Sequence, residues 1–291
     1  MKERKEVSEM FRLVNNVKTM LLLAGLMVLF VYVGSLIHGR EGMMVALLLG
    51  GGMNVVAYFF SDKIALASMR AQLVTEEQAP ELVGVVREMA SRANLPMPRV
   101  YICPQQAPNA FATGRNPNNA AVAVTQGLLQ LINRQELMGV IGHELAHVKH
   151  RDILIQTVAA TIAGAISALG YMLYFVPLGG GNRRGGNALV ALVMFILAPI
   201  WAALIQMAIS RRREYNADSF GAELAGDPIY LARALEKLHN YNRQIPMRVP
   251  LDSQKSMFIV QPFSGRDAVD WFNTHPSLAK RLMALIGRER V

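Results

Sequence analysis

Ile141-Gly142-His143-Glu144-Leu145-Ala146-His147 is followed within a few residues by an unbroken apolar block, 153–178, and the reading of this junction decides the fold. Upstream, Asn133 can cap a helix, with Glu136 three positions on to complete a capping box. The quoted stretch therefore reads as helical. Positions four apart on a helix differ by about 40° around its axis, so His143 and His147 project from one face. Two imidazoles at that spacing can grip one zinc ion at about 2.0–2.1 Å each. Glu144 points beside such an ion rather than at it, which suits a general base acting on the attacking water. A chance H-E-x-x-H arises in roughly one chain in a hundred of this length. The capped helix and the third ligand found below weigh against coincidence. The single cysteine, Cys103, excludes both an internal disulfide and a cysteine-rich metal site, so any metal falls to imidazole and carboxylate.

Working outward, three further apolar blocks appear at 20–37, 43–60 and 188–209, and none of the four carries a charge. Each is near or above the ~18–20 residues a helix needs to cross hydrocarbon. They account for a composition that is 52% hydrophobic and only 18% charged. An average soluble domain holds roughly 25% charged residues. The expected fold is thus a mostly α integral membrane protein with four transmembrane helices and an α+β domain outside the bilayer with a small sheet. Blocks one and two would form a hairpin through His38-Gly39-Arg40-Glu41-Gly42, blocks three and four another through the Gly-rich stretch 179–187. The first block reads as a retained anchor, because no small-x-small cleavage pattern follows it. A buried helical hairpin in a globular core is the alternative for blocks three and four, and their lengths disfavour it.

Basic residues fix the orientation. Lys2, Arg4, Lys5, Arg12, Lys18, Lys63, Arg70, Lys149, Arg151, Arg211, Arg212 and Arg213 flank the blocks on one side, against Arg40, Arg183 and Arg184 on the other. The positive-inside rule places both termini and the long polar segments in the cytoplasm. Net charge of +9 without a basic stripe interleaved with aromatics speaks for anionic lipid heads as partners and against nucleic acid. Four regions follow: 1–60, a tail and transmembrane hairpin; 61–152, a first catalytic part; 153–210, a second hairpin; and 211–291, a second catalytic part.

Within the first polar segment, residues 80–93 show a helical apolar face behind Pro80, and 100–102 reads as a short strand. Residues 109–113 and 121–124 read as two strands of a hairpin, joined by the turn Gly114-Arg115-Asn116-Pro117-Asn118-Asn119. A third metal ligand has two candidates. His150 shares the face of His147, but three ligands along one straight helix cannot easily surround a tetrahedral ion, and the chain-reversing glycine of the metzincin pattern is missing. Glu214 is better placed, because the chain returns from the fourth block at Ser210, four residues before it. One out-and-back crossing delivers its carboxylate to the level of His143 and His147. Asp218, one turn further, can accept a hydrogen bond from a ligand histidine and fix its tautomer.

The H-E-L-A-H motif after two N-terminal blocks, the two later blocks, the S-R-x-x-E-x-x-A-D pattern from Ser210 to Asp218, and Thr274-His275-Pro276-Ser277 with Arg281 together resemble the HtpX and CAAX prenyl protease family of gluzincin metallopeptidases. The likeness runs over essentially the whole chain. It implies a gluzincin fold, one Zn²⁺ per chain on His143, His147 and Glu214, Glu144 as base, and a multi-pass place in the bacterial cytoplasmic membrane. It also implies the degradation of misfolded or damaged membrane proteins at the cytoplasmic face. Two more assignments rest on it: an edge strand, Asn109, Ala110, Phe111, Ala112 and Thr113, that pairs with extended substrate, and His275 as a donor to the tetrahedral oxyanion. The rival readings are a processing protease of CAAX type and a non-enzymatic membrane metal-binding protein.

Overall fold

The computed structural model describes residues 2–155, 158, 211–244 and 276–291. Most of the third apolar block, the whole of the fourth, the Gly-rich connector 179–187 and His275 lie outside these residues.

Helix α1 (Lys2–Ser68) takes in both N-terminal blocks. Its direction reverses at Gly39, whose φ of +53° lies in the left-handed region that glycine occupies at little cost. Beyond that point the two arms run side by side. Asn54 Nδ2 donates to the Leu23 carbonyl at 3.0 Å, and Gly50 lets Met27 and Phe30 approach closely. The expected hairpin is present, and one left-handed residue reverses the chain where a five-residue connector was expected. Gly39–Ser68 is long and apolar enough to cross a bilayer, alone among the described residues, and Asn16–Tyr32 is a shorter apolar stretch. Along the longer arm Leu48 and Leu49 are 74% and 66% exposed, the condition of side chains that face lipid.

After α1 the chain builds a four-stranded sheet from β1 (Gln72–Leu73), β2 (Arg99–Cys103), β3 (Ala110–Thr113) and β4 (Ala121–Thr125), in the order β1-β2-β4-β3. The central pair β2 and β4 is parallel, and both outer strands are antiparallel to their neighbours. The expected hairpin is thus β3 and β4, with β3 at the edge. Strand alternation divides the two faces. Val100, Ala110, Ala112, Val122 and Val124 enter the main core. Cys103, Phe111, Ala121 and Ala123 pack instead on Leu66 and Met69 at the end of α1. The sheet therefore sits directly on the continuation of the apolar helix.

The main core is closed by helices α2 (Pro80–Arg92), α4 (Arg134–His150), α5 (Arg211–Ala225) and α6 (Pro228–Gln244). A short α3 (Gln126–Leu131) leads into α4, and α7 (Leu278–Ile286) closes the far side of α5. The capping box opens α4 as expected: Asn133 Oδ1 accepts from the Glu136 amide at 2.9 Å, and Glu136 Oε2 accepts from the Asn133 amide at 2.9 Å. Helix α4 crosses α5 at Gly142 and Gly221, where a Cβ on Gly142 would lie 2.8 Å from the Gly221 carbonyl oxygen. A Cβ on Gly139 would similarly meet the Leu231 amide of α6 at 2.7 Å. Two side-chain-free crossings bring α4 close to the helices that flank it.

Candidate metal centre

The α4–α5 crossing lies one residue from His143, and it sets the site. Both ligand imidazoles are buried, and their rings stand edge to face at 87°. His143 Nε2 and His147 Nε2 converge to 3.2 Å. Glu214, on the first turn of α5, brings Oε2 to 3.7 Å from the former and Oε1 to 3.6 Å from the latter. These three side chains form the metal-competent cluster found among the described residues.

The outer nitrogens explain why the inner ones need a cation. His143 Nδ1 lies 2.9 Å from Asp218 Oδ1, and His147 Nδ1 lies 3.1 Å from Asp152 Oδ2. A carboxylate accepts hydrogen bonds, so each Nδ1 carries the proton and each Nε2 presents a lone pair. Two lone pairs and the Glu214 carboxylate thus face one buried point with no donor among them. Such a set is costly unless a positive charge sits there. Tetrahedral geometry at zinc–nitrogen distances sets two ligand nitrogens about 3.3 Å apart, close to the observed convergence. The residues fit a zinc ion. Without metal a proton takes that place: burial works against charge on His147, but Asp152, Glu214 and Glu144 outweigh it and raise its pKa to about 9. Burial draws the His143 imidazole down instead, against the pull of Asp218.

Both supporting carboxylates stay ionised for identifiable reasons. Burial alone pushes Asp218 up, but Arg281 from α7 holds it below the usual carboxylate range. Arg281 Nε and Nη2 clamp its two oxygens at 2.8 and 2.6 Å. Asp152 is likewise held low, the His147 contact and Arg213 outweighing burial, with Arg213 Nη1 3.6 Å from Oδ1.

Glu144 occupies the space between the metal cluster and the edge strand. Its Oε2 accepts the Ala112 amide of β3 at 2.8 Å. Burial raises its pKa to about 7, against the partly offsetting pull of His147 and the Ala112 amide. A carboxylate of that basicity at neutral pH is matched to taking up and returning a proton. The strand beside it is oriented by its ladder. The Asn109 carbonyl accepts from the Thr125 amide at 2.9 Å. Antiparallel alternation then turns the backbone of Phe111 and Thr113 toward β4, and that of Ala110 and Ala112 away from it, to the side of the sheet without a further strand, where all four β3 residues are buried.

A family model described as peptidase family M48 matches residues 76–289. The chain belongs to peptidase family M48. Among its curated relatives, the "Protease HtpX homolog" of Desulfatibacillum aliphaticivorans is 52% identical over 280 residues, covering 94% of this chain and 89% of the relative. The protein of the same description from Burkholderia mallei (strain SAVP1) is 49% identical over 278 residues, covering 95% and 98%. A crystal structure of Ste24p from S. mikatae superposes with a TM-score of 0.53 at 18% identity, covering 95% of this chain and 66% of that one, and carries the fold alone. As an M48 member this chain is a metallopeptidase, a membrane-associated hydrolase of peptide bonds.

The structure thus brings His143, His147, Glu144, Glu214, Asp218 and β3 together. His275 lies outside the described residues. His150 is not a member of the metal-competent group, and its ring lies 5.8 Å from that of Phe220 on α5. Sequence reasoning missed Asp152, Arg213 and Gly221, and met Arg281 only as part of a resemblance. Asp152 had a signal. Helix α4 stops at His150, Arg151 adopts the left-handed conformation at φ 60°, and the next side chain folds back on the last turn. A carboxylate just past a helix that ends in a ligand histidine is placed for that contact.

Proposed function

We propose that this protein is a zinc-dependent endopeptidase that cuts misfolded or damaged membrane proteins at the cytoplasmic face of a bacterial inner membrane, held there by four spans. The observation that carries the reading is the position of Glu144, bonded to the amide of an edge strand on one side and adjoining the His143–His147–Glu214 cluster on the other. His143, His147 and Glu214 would hold the ion. When bound, zinc supplies Lewis-acid polarisation of the scissile carbonyl and of the attacking water.

The chain's own groups do the rest. An extended substrate pairs with the outward backbone of Ala110 and the Ala112 carbonyl, the Ala112 amide being held by Glu144. Such pairing reads chain shape more than side chains and suits unfolded proteins as substrates. That pairing lays the scissile bond beside Glu144. Glu144 accepts the proton of the attacking water at its carboxylate and delivers it to the departing amine nitrogen. Asp152 and Asp218 keep both imidazoles in the tautomer that leaves Nε2 free for metal. His275 is assigned the oxyanion contact on the strength of the resemblance alone.

The test is metal analysis of the detergent-purified chain beside digestion of a casein-type substrate, with and without chelator. About one zinc per chain and chelator-sensitive cleavage are expected. Glu144→Gln should keep the zinc and lose cleavage by several orders of magnitude, whereas Glu214→Ala should lose both. Cleavage that survives in Glu144→Gln removes the base assignment. A prenylated peptide cut in preference to an unfolded membrane protein would turn the reading to a CAAX-type processing enzyme.

A further inference from the structure

The apolar run of α1 ends in Tyr58-Phe59-Phe60 and gives way to Ser61-Asp62-Lys63. Aromatic rings followed by polar and charged groups mark the level at which a spanning helix leaves hydrocarbon for headgroups. Phe59 and Phe60 are 48% and 44% exposed. Each carries a cation on its face. Lys63 Nζ lies 5.1 Å from the Phe60 centroid, and Arg115 Cζ lies 5.4 Å from that of Phe59. Arg115 does not belong to the helix; it stands in the turn between β3 and β4. Neither cation has a carboxylate in ion-pair range among the described residues. The neighbouring Arg99 differs, since it is taken by Asp62 at 2.9 Å.

We propose that the β3–β4 turn is a membrane-surface anchor, in which Arg115 and Lys63 together hold the phosphate of an anionic phospholipid headgroup. Here the charged ends themselves rest on exposed aromatic rings at the end of the apolar run, which puts both cations at the headgroup layer. The turn is fixed there, because Phe111 of the same hairpin packs on Leu66 and Met69 of α1. The consequence concerns substrate. Ala112, which meets Glu144, is three residues from Arg115, at most about 10 Å of chain even if fully extended. A chain leaving the bilayer reaches the catalytic groups after only a few extended residues. The enzyme's substrates are then the segments flanking transmembrane spans.

The anchor rests on the membrane reading of α1, and only its consequence for substrate rests on proteolysis, so the anchor can fail separately. The probe is Asn118→Cys in the full chain, an exposed position in the turn. Cys103 is buried with its thiol pushed up to about 12 and stays unlabelled. The introduced thiol carries a fluorophore, and the protein is placed in nanodiscs of phosphatidylcholine with or without phosphatidylglycerol. Lipids bearing a headgroup nitroxide should quench the label, at least twofold more with the anionic lipid present. The paired reversal Arg115→Glu and Lys63→Glu should abolish that difference while the thermal midpoint stays put. Should the midpoint fall, Arg115→Gln with Lys63→Gln makes the same comparison without adding negative charge. No headgroup quenching, or quenching indifferent to lipid charge and to both pairs, overturns the proposal.

Discussion

As the proposed metal pair, His143 and His147 depend on what stands behind them. Each ring is held by a buried carboxylate, and each carboxylate has an arginine beside it, Arg281 for Asp218 and Arg213 for Asp152. Removing such a supporting group typically costs 10–100-fold in metal affinity. Asp152→Ala and Asp218→Ala should therefore each weaken zinc binding about 10–100-fold in a competition titration with a chromophoric chelator. Asp218→Ala removes two close bonds from buried Arg281, at 2.8 and 2.6 Å, where Asp152→Ala removes one contact of 3.6 Å from Arg213, so it should lower stability more. Equal metal affinity in both variants and the parent would show that the rings are held by packing alone. Cys103 is a second residue whose surroundings set its chemistry. Its raised pKa removes thiolate at ordinary pH, and it is fully buried. A thiol reagent at pH 8 should leave it unmodified in the folded protein and modify it once denatured, as intact mass will show.

Among the elements, the α4–α5 crossing matters most. Gly221 lets α5 approach until a Cβ there would meet backbone atoms of Gly142 and His143, the His143 Cα at 2.9 Å. Both obstacles are backbone, which cannot swing aside as a flexible side chain can. Gly221→Ala must push the helices apart, at a cost of about 1–3 kcal/mol for overpacking. Glu214 and Asp218 ride on α5, so the same shift withdraws a ligand and its supporting carboxylate. The expected result is a lower unfolding midpoint together with zinc well below one per chain. Gly226→Ala provides the contrast: nothing lies within 4 Å of its missing Cβ. Strain at its φ of 94° should cost stability there without loss of zinc.

At the scale of the molecule, an ion held by His143, His147 and Glu214 would close the fold as well as serve catalysis. Its ligands come from α4 and α5, which are separated in the chain by the second pair of apolar blocks. A ligand that binds only the folded state stabilises it by about 2.7 kcal/mol at a hundredfold excess over Kd. Chelation should therefore lower the thermal midpoint by roughly 5–10 °C in detergent, and added zinc should restore it. An unchanged midpoint would mean that the two catalytic segments hold together without the ion.

Much of this was open to reading from the chain. Helical spacing alone puts two imidazoles on one face, an Asn and a Glu three apart cap that helix, and apolar runs of sufficient length ask for lipid. These are local consequences of backbone geometry and solvation, so sequence carries them. The β3–β4 hairpin was equally legible, from its alternation and its Asn-Pro turn. The supporting shell was not. Asp152 reaches His147 through a left-handed Arg151, Arg281 reaches Asp218 across more than sixty positions of chain, and Gly221 matters only because another helix's backbone lies against it. Such contacts depend on where separate elements come to rest, and no periodicity within one segment encodes that. Residue order alone carries the candidate ligand types, their helical frame and an apolar helix long enough to cross a bilayer. Only tertiary packing decided which carboxylates hold the rings and which backbone amide meets the base.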